Sequence, residues 1–271
     1  MLGSVDRVLD QRRLTTPRVL RAGMVLVCLP VLALAATVQL AVATNDEAVD
    51  TVAETAAAVA RMSATGVDIV VLVASVMLAE DDPERRLRDV VAAVIEADSS
   101  TVVGIYECPL PYHRVLSDEA VAWLAATGRF AFFKETSHDL DRMRRRVELA
   151  EGSGMQIFNA GIENLAESLT VGIAGLSGWV ANVFPDGVAR VHGLADGTAE
   201  PTTEALELQA ALVDVEHRMG GSYPNSAKAL VELRAGIGFA PRSRWRPAQV
   251  NEAEVAAILA DASAVLGVPA R

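Results

Sequence analysis

Strand-like and helix-like stretches alternate through most of this chain, and that rhythm restricts it to very few folds. After Asn45 the residues "DEAVDTVAETAAAVARM" open with acids and repeat Ala and Val at helical spacing, the pattern of an amphipathic helix with negative charge at its start. The β-branched run "GVDIVVLVA" follows, then "DPERRLRDVVAAVIEA" as helix, "STVVGIYE" as strand, "SDEAVAWLAAT" as helix and "RFAFFK" as strand. The series continues with "DLDRMRRRVELAE" helical, "GMQIFNA" extended, "IENLAESLTV" helical and "GIAGLSGWV" extended. Strand runs this apolar have no wet face, so they predict a parallel sheet covered by helices. The expected strands are 31–38, 68–74, 102–107, 130–134, 155–158 and 172–178.

No GxGxxG follows a strand and no P-loop occurs, so a (β/α) barrel is favoured over a nucleotide-binding open sheet. A chain of 271 residues, 51% of them hydrophobic, has the size of such a barrel. From Ala199 onward the character changes to helix only, in "TTEALELQAALVDVEHRM", "NSAKALVELRAGIG" and "NEAEVAAILADASAVLG". The expected organisation is therefore a barrel region over 1–198 and a C-terminal helical region over 199–271, packed on the barrel or on a partner subunit.

Charge and cysteine content narrow the function. Lys and Arg total 24 against 35 Asp and Glu, a net charge of -11, and the basic residues are scattered. That distribution argues against a nucleic-acid partner. Cys28 and Cys108 lack CxxC spacing, and His113, His138, His192 and His217 lack metal-ligand spacing, so neither a disulfide framework nor a metal or cofactor site is expected. A reducing cytoplasm fits best. Residues 23–43, "GMVLVCLPVLALAATVQLAVA", follow two arginines and end in an A-x-A tripeptide, the outline of a signal peptide or a membrane span. Pro30 divides that run, and its second half reads equally as a buried parallel strand beginning at a proline. The expectation is a non-membrane, cytoplasmic chain with an uncleaved N-terminus.

Within "GRFAFFKETS" one residue is out of keeping. Lys134 closes a run containing Phe130, Phe132 and Phe133, and an amine held among phenyl rings would be desolvated. Desolvation disfavours the charged form and can carry a lysine from about 10.4 toward roughly 7–8, where free amine is available to attack a carbonyl. The competing reading is a strand-end lysine that snorkels into solvent or pairs with Glu135. Period-two alternation puts Phe130, Phe132 and Lys134 on one face, and Val102, Gly104 and Tyr106 on one face of the preceding strand. Barrel chemistry gathers at C-terminal strand ends, and a phenol beside a reactive amine supplies the proton transfers that Schiff-base chemistry needs. Gly104 leaves room opposite the phenylalanines.

"GIYECPLPYHR", "FAFFKETSHD" and "GIAGLSGWVANVFPD", in that order, resemble strands five, six and eight of the dihydrodipicolinate synthase and N-acetylneuraminate lyase family. The resemblance runs from about Pro30 to the C-terminus. It implies a class I aldolase or lyase on a TIM barrel, forming an imine with pyruvate or a related 2-keto acid, without cofactor or metal, as a homo-oligomer and by family habit a tetramer. On it Lys134 matches the Schiff-base lysine and Tyr106 the proton-relaying tyrosine. Ser177 matches the position whose carbonyl lines the pocket. The arginine that grips a distal carboxylate falls on Pro111, with Arg114 the nearest substitute. The Gly-Thr-Thr-Gly-Glu loop has no counterpart, and Gly3 and Ser4 stand as its remnant. The chain thus resembles a TIM (β/α)8-type barrel lacking its first two strands, with an open edge near Pro30 covered by residues 1–22 or by another chain. Two functions follow: a Schiff-base lyase, or a catalytically degenerate barrel that binds a metabolite or a partner subunit.

Overall fold

A computed structural model describes residues 52–267 apart from Thr101, Phe239 and Trp245. The expected strand 31–38, the apolar stretch 23–43, the open edge and Ser4 lie outside the described residues. Those that are described fall into two compact units that divide between Ala160 and Gly161.

The first unit holds four strands, β1 (Val70–Val73), β2 (Val103–Tyr106), β3 (Phe130–Glu135) and β4 (Gln156–Asn159). They form one sheet in the order β1-β2-β3-β4 with every pair parallel. The helices are α1 (Val52–Ser63), α2 (Ala74–Met77), α3 (Arg85–Ala97), α4 (Asp118–Ala126) and α5 (Leu140–Ala150). Side-chain caps fix the starts of two of them. Ser117 caps α4 by accepting from the Ala120 amide at 3.1 Å, and Asp139 caps α5 by accepting from Asp141 and Arg142 at 2.9 and 3.0 Å. Helix α3 buries Leu87, Val90, Val91 and Val94 and leaves Arg85, Arg88 and Asp89 exposed, a stripe at three- and four-residue spacing, and packs chiefly against α1. Val70, Leu72, Val103, Ile105, Phe133 and Ile157 are buried along the strands, as parallel strands covered by helices require.

One detail departs from strict alternation. Val103 pairs with Phe130, but Gly104 pairs with Phe132, so the β2–β3 register shifts between Val103 and Gly104. The extra residue in β3 is a bulge, and it moves Phe130 to the face of Val103 and Ile105. Phe130 therefore does not share a face with Lys134.

The second unit is helical: α6 (Leu165–Thr170), a 3-10 turn (Trp179–Asn182), α7 (Pro185–Ala195), α8 (Thr203–Gly220), α9 (Asn225–Ala235) and α10 (Glu252–Leu266). Its core gathers Leu169, Phe184, Val191, Leu212 and Ile258. Thr202 and Asn251 cap α8 and α10, so the helix-only character expected after Ala199 is observed. The strand expected over 172–178 is not formed; Leu176 alone makes a bridge. Gly175 takes a φ of 153°, a conformation that interrupts an extended run and that glycine adopts freely. Residues 161–198, expected within the barrel region, group with the helices that follow them, and the last described strand ends at Asn159. Among the described residues no helix is long and apolar enough to cross a membrane.

Candidate active site

The ends of β2 and β3 bring Lys134 and Tyr106 together. They are register partners, and the Lys134 Nζ lies 4.2 Å from the centroid of the Tyr106 ring. Both side chains are partly buried. An amine over a phenol face is attracted as the ammonium by the ring quadrupole. On the same face, Phe132 and Phe158 pack with ring centroids 5.0 Å apart, and Phe158 is the β4 partner of Lys134. Lys134 is thus flanked by one tyrosine and two phenylalanines, while Phe130 and Phe133 lie on the other face. The wall of phenylalanines from one strand expected from the sequence is replaced by rings from three strands, and Lys134 is half-buried among them.

Gly104 leaves no spare room. A Cβ there would lie 2.9 Å from Phe132 Cδ1, 3.1 Å from its Cβ and 3.2 Å from its carbonyl oxygen. The glycine is what lets Phe132 lie flat across β2. Gly104→Ala is expected to destabilise the protein by about 1–3 kcal/mol through overpacking, read as a lowered denaturant midpoint. An unchanged midpoint would show that Phe132 swings aside without cost.

The opposite face carries a buried charge cluster. Glu107, Glu135 and Arg146 are each fully buried. Arg146 donates to Glu107 through Nη2 at 2.8 Å and Nη1 at 3.0 Å, to Glu135 through Nη1 at 2.5 Å, and to the Leu116 carbonyl at 3.0 Å. Its guanidinium also sits 5.1 Å from the Phe133 ring centroid. Glu107 accepts from the Leu116 amide at 2.7 Å and the Thr136 amide at 3.2 Å, and Glu135 accepts from the Ser137 amide at 2.9 Å. The Thr136 hydroxyl donates to the Glu107 carbonyl at 3.0 Å and lies 2.8 Å from His113 Nε2. Burial raises the Glu107 carboxyl above its usual range, against the opposing pull of Arg146. Glu135 therefore pairs with Arg146 across the helix face, which corrects the alternative in which it neutralises Lys134. Neither glutamate nor Arg146 stood out in the sequence. The available signals were a glutamate immediately after each of Tyr106 and Lys134, and an arginine on the buried stripe of α5 with Met143 and Ala150.

The remaining site candidates fall elsewhere. Arg114 donates from Nη1 to the Ala79 carbonyl at 2.8 Å and from Nη2 to the Asp82 carbonyl, and the neighbouring Tyr112 hydroxyl donates to the Leu78 carbonyl. These two side chains fasten the loop after β2 to the segment after α2. Ser177 is buried in the second unit, just before the 3-10 turn. Among the described residues no cluster of three or more His, Cys, Asp or Glu could hold a metal ion.

This geometry can be set beside known proteins. The model of the dihydrodipicolinate synthetase family matches residues 35–237. A monomeric dihydrodipicolinate synthase variant superposes with a TM-score of 0.67 at 17% identity, over 81% of this chain and 72% of its own. The Ruminococcus gnavus sialic acid aldolase gives a TM-score of 0.66 at 17% identity, over 80% of this chain and 71% of its own. A prophage protein of the dihydrodipicolinic acid synthase family from E. coli K12, in complex with pyruvate, gives 0.65 at 16% identity, over 81% and 73%. A comparison with curated protein sequences gives no significant match. At these identities the superpositions carry the fold, a parallel α/β barrel with a C-terminal helical region, and not the substrate.

Proposed function

Because the chain belongs to the dihydrodipicolinate synthetase family, we propose that it is a lyase or aldolase that forms a Schiff base between Lys134 and pyruvate or a related 2-keto acid. The observation that carries this reading is the Lys134 amine lying 4.2 Å from the centroid of the Tyr106 ring, at adjacent parallel-strand ends. In the reaction the free amine attacks the keto carbon, forming a carbon–nitrogen bond. The resulting carbinolamine loses its hydroxyl as water once that oxygen is protonated. Tyr106 is the neighbouring group able to give and take those protons. Attack requires the free amine, so any proton on Lys134 must leave before the carbon–nitrogen bond forms. Arg114, Ser177 and Ser4 are each carried as separate substrate-binding candidates on the family resemblance alone.

We place the chain in the cytoplasm as a homo-oligomer. The existence of a monomeric synthase variant with this fold makes sedimentation velocity the direct test of that assembly. The degenerate-barrel reading has one observation in its favour: the Arg114 guanidinium is held by the Ala79 and Asp82 carbonyls and so is not free to grip a substrate carboxylate as it stands.

Trapping with pyruvate and borohydride separates the two. Lys134 and Lys228 are the only lysines in the sequence, so peptide mapping gives an unambiguous answer. The expected result is the reduced pyruvyl mass on Lys134 and none on Lys228, whose Nζ donates to the Arg242 carbonyl at 2.6 Å. Tyr106→Phe is expected to slow trapping by about 10²–10⁴-fold without preventing it, since acid/base help speeds the steps but does not make the bond. Absence of any adduct at Lys134 in wild-type protein at high pyruvate would leave the binding-protein reading.

A further inference from the structure

We propose that Arg146 is a positioning residue: by gripping Glu107 and Glu135 on the helix face of the sheet, it fixes the ends of β2 and β3 so that Tyr106 and Lys134 meet on the other face. The proposal rests on the Schiff-base reading above.

Each member of the candidate pair is followed at once by a glutamate. Side chains alternate across a strand, so Glu107 and Glu135 are the reverse sides of Tyr106 and Lys134. The Glu107 amide donates to the Lys134 carbonyl at 3.3 Å, which extends the ladder past Tyr106 and sets the two carboxylates side by side. Unbridged, two neighbouring carboxylates in a dry layer repel, and the strand ends would spread. The single guanidinium between them converts that repulsion into a bidentate grip on one carboxylate and a 2.5 Å contact with the other.

The grip is also tied to its surroundings. Glu107 is held by the Leu116 and Thr136 amides and Glu135 by the Ser137 amide. Arg146 is thereby linked through both carboxylates to the segments that follow the two strands. Stability alone does not call for such a cluster, because well-packed apolar residues of similar volume often do as well as a buried ion triad or better. The cluster also leaves Glu135 Oε2 and Arg146 Nε without hydrogen-bond partners. What it supplies that an apolar layer would not is a fixed lateral spacing of two named backbone positions.

A double-mutant cycle on the rate of borohydride-trapped pyruvate labelling at Lys134 tests this in the full chain. Glu107→Gln keeps the shape and an acceptor but loosens the charged grip, leaving Arg146 with Glu135. It is expected to slow labelling about tenfold or more, as small misplacements of reacting groups do. In a Tyr106→Phe background the same change should add less than about twofold, the range within which effects count as nil in such cycles, because the phenol it would misplace is already gone. A merely structural role predicts that the two losses multiply. Multiplying losses, or an unchanged labelling rate in a folded Glu107→Gln protein, would overturn the proposal. If Glu107→Gln does not fold, Glu135→Gln takes its place in the cycle, and failure of both to fold would assign the cluster to stability alone and also overturn it. Wild-type labelling is read first: with no adduct at Lys134, the Schiff-base reading itself falls and Arg146 has nothing to position.

Discussion

Lys134→Arg is expected to abolish the pyruvate adduct completely while leaving the fold in place. Arginine keeps a cation over the Tyr106 ring, so the packing seen at 4.2 Å has a close substitute. It remains protonated at any working pH and cannot form the imine. Intact-mass analysis after borohydride should show unmodified protein, and thermal melting should stay close to wild type. With only Lys228 left as a side-chain amine, any residual adduct in the variant would have to come from that residue or the chain's N-terminus. An adduct of the same yield would end the assignment of Lys134 as nucleophile.

The largest stability effect is expected at Arg146. Arg146→Met removes the one cation from a layer where Glu107 and Glu135 are both fully buried, and breaking a buried pair from one side costs about 3–5 kcal/mol. Denaturant unfolding should show that loss, and combining Arg146→Met with Glu107→Gln and Glu135→Gln should restore most of it, since no buried charge is then left behind. A loss below about 1 kcal/mol for the single variant would mean that water reaches the carboxylates and that the cluster is not dry.

These two residues also show how far the sequence could be read. Lys134 was legible because a cation at the end of a phenylalanine run contradicts the pattern around it, and Tyr106 followed from period-two alternation on the strand before. The four described strands and the helical tail were legible for the same reason: local chemistry and tertiary demand agree there. The register shift between Val103 and Gly104 was not, because a bulge is decided by both strands together, and it displaced Phe130 from its expected face. The bridge at Leu176 replaced an expected strand because an apolar run says nothing about the backbone angle at Gly175. Arg146 was hidden by its setting. In "DRMRRRVELAE" it is one of four arginines, and its spacing from Met143 and Ala150 on the buried stripe is the one local signal that sets it apart. Its partners Glu107 and Glu135 stand 39 and 11 residues away, where no local pattern points to them.

The alternation at the strand ends also bears on how the sheet finds its pairing. Lys134 and Glu135 are adjacent, oppositely charged and aimed at opposite faces. Sliding β3 by one residue along β2 would exchange them, because a one-residue slip turns every side chain over. The slipped chain would drive an ammonium into the dry layer against the Arg146 guanidinium, and it would set a carboxylate against the Tyr106 ring, whose face repels anions. Both faults arise together from one error, so the misaligned sheet is penalised twice and cannot compete as a kinetic trap. Lys134 and Glu135 thus act together as a folding checksum: a chain that has brought its amine to the phenol has, by that fact, also aligned its strands.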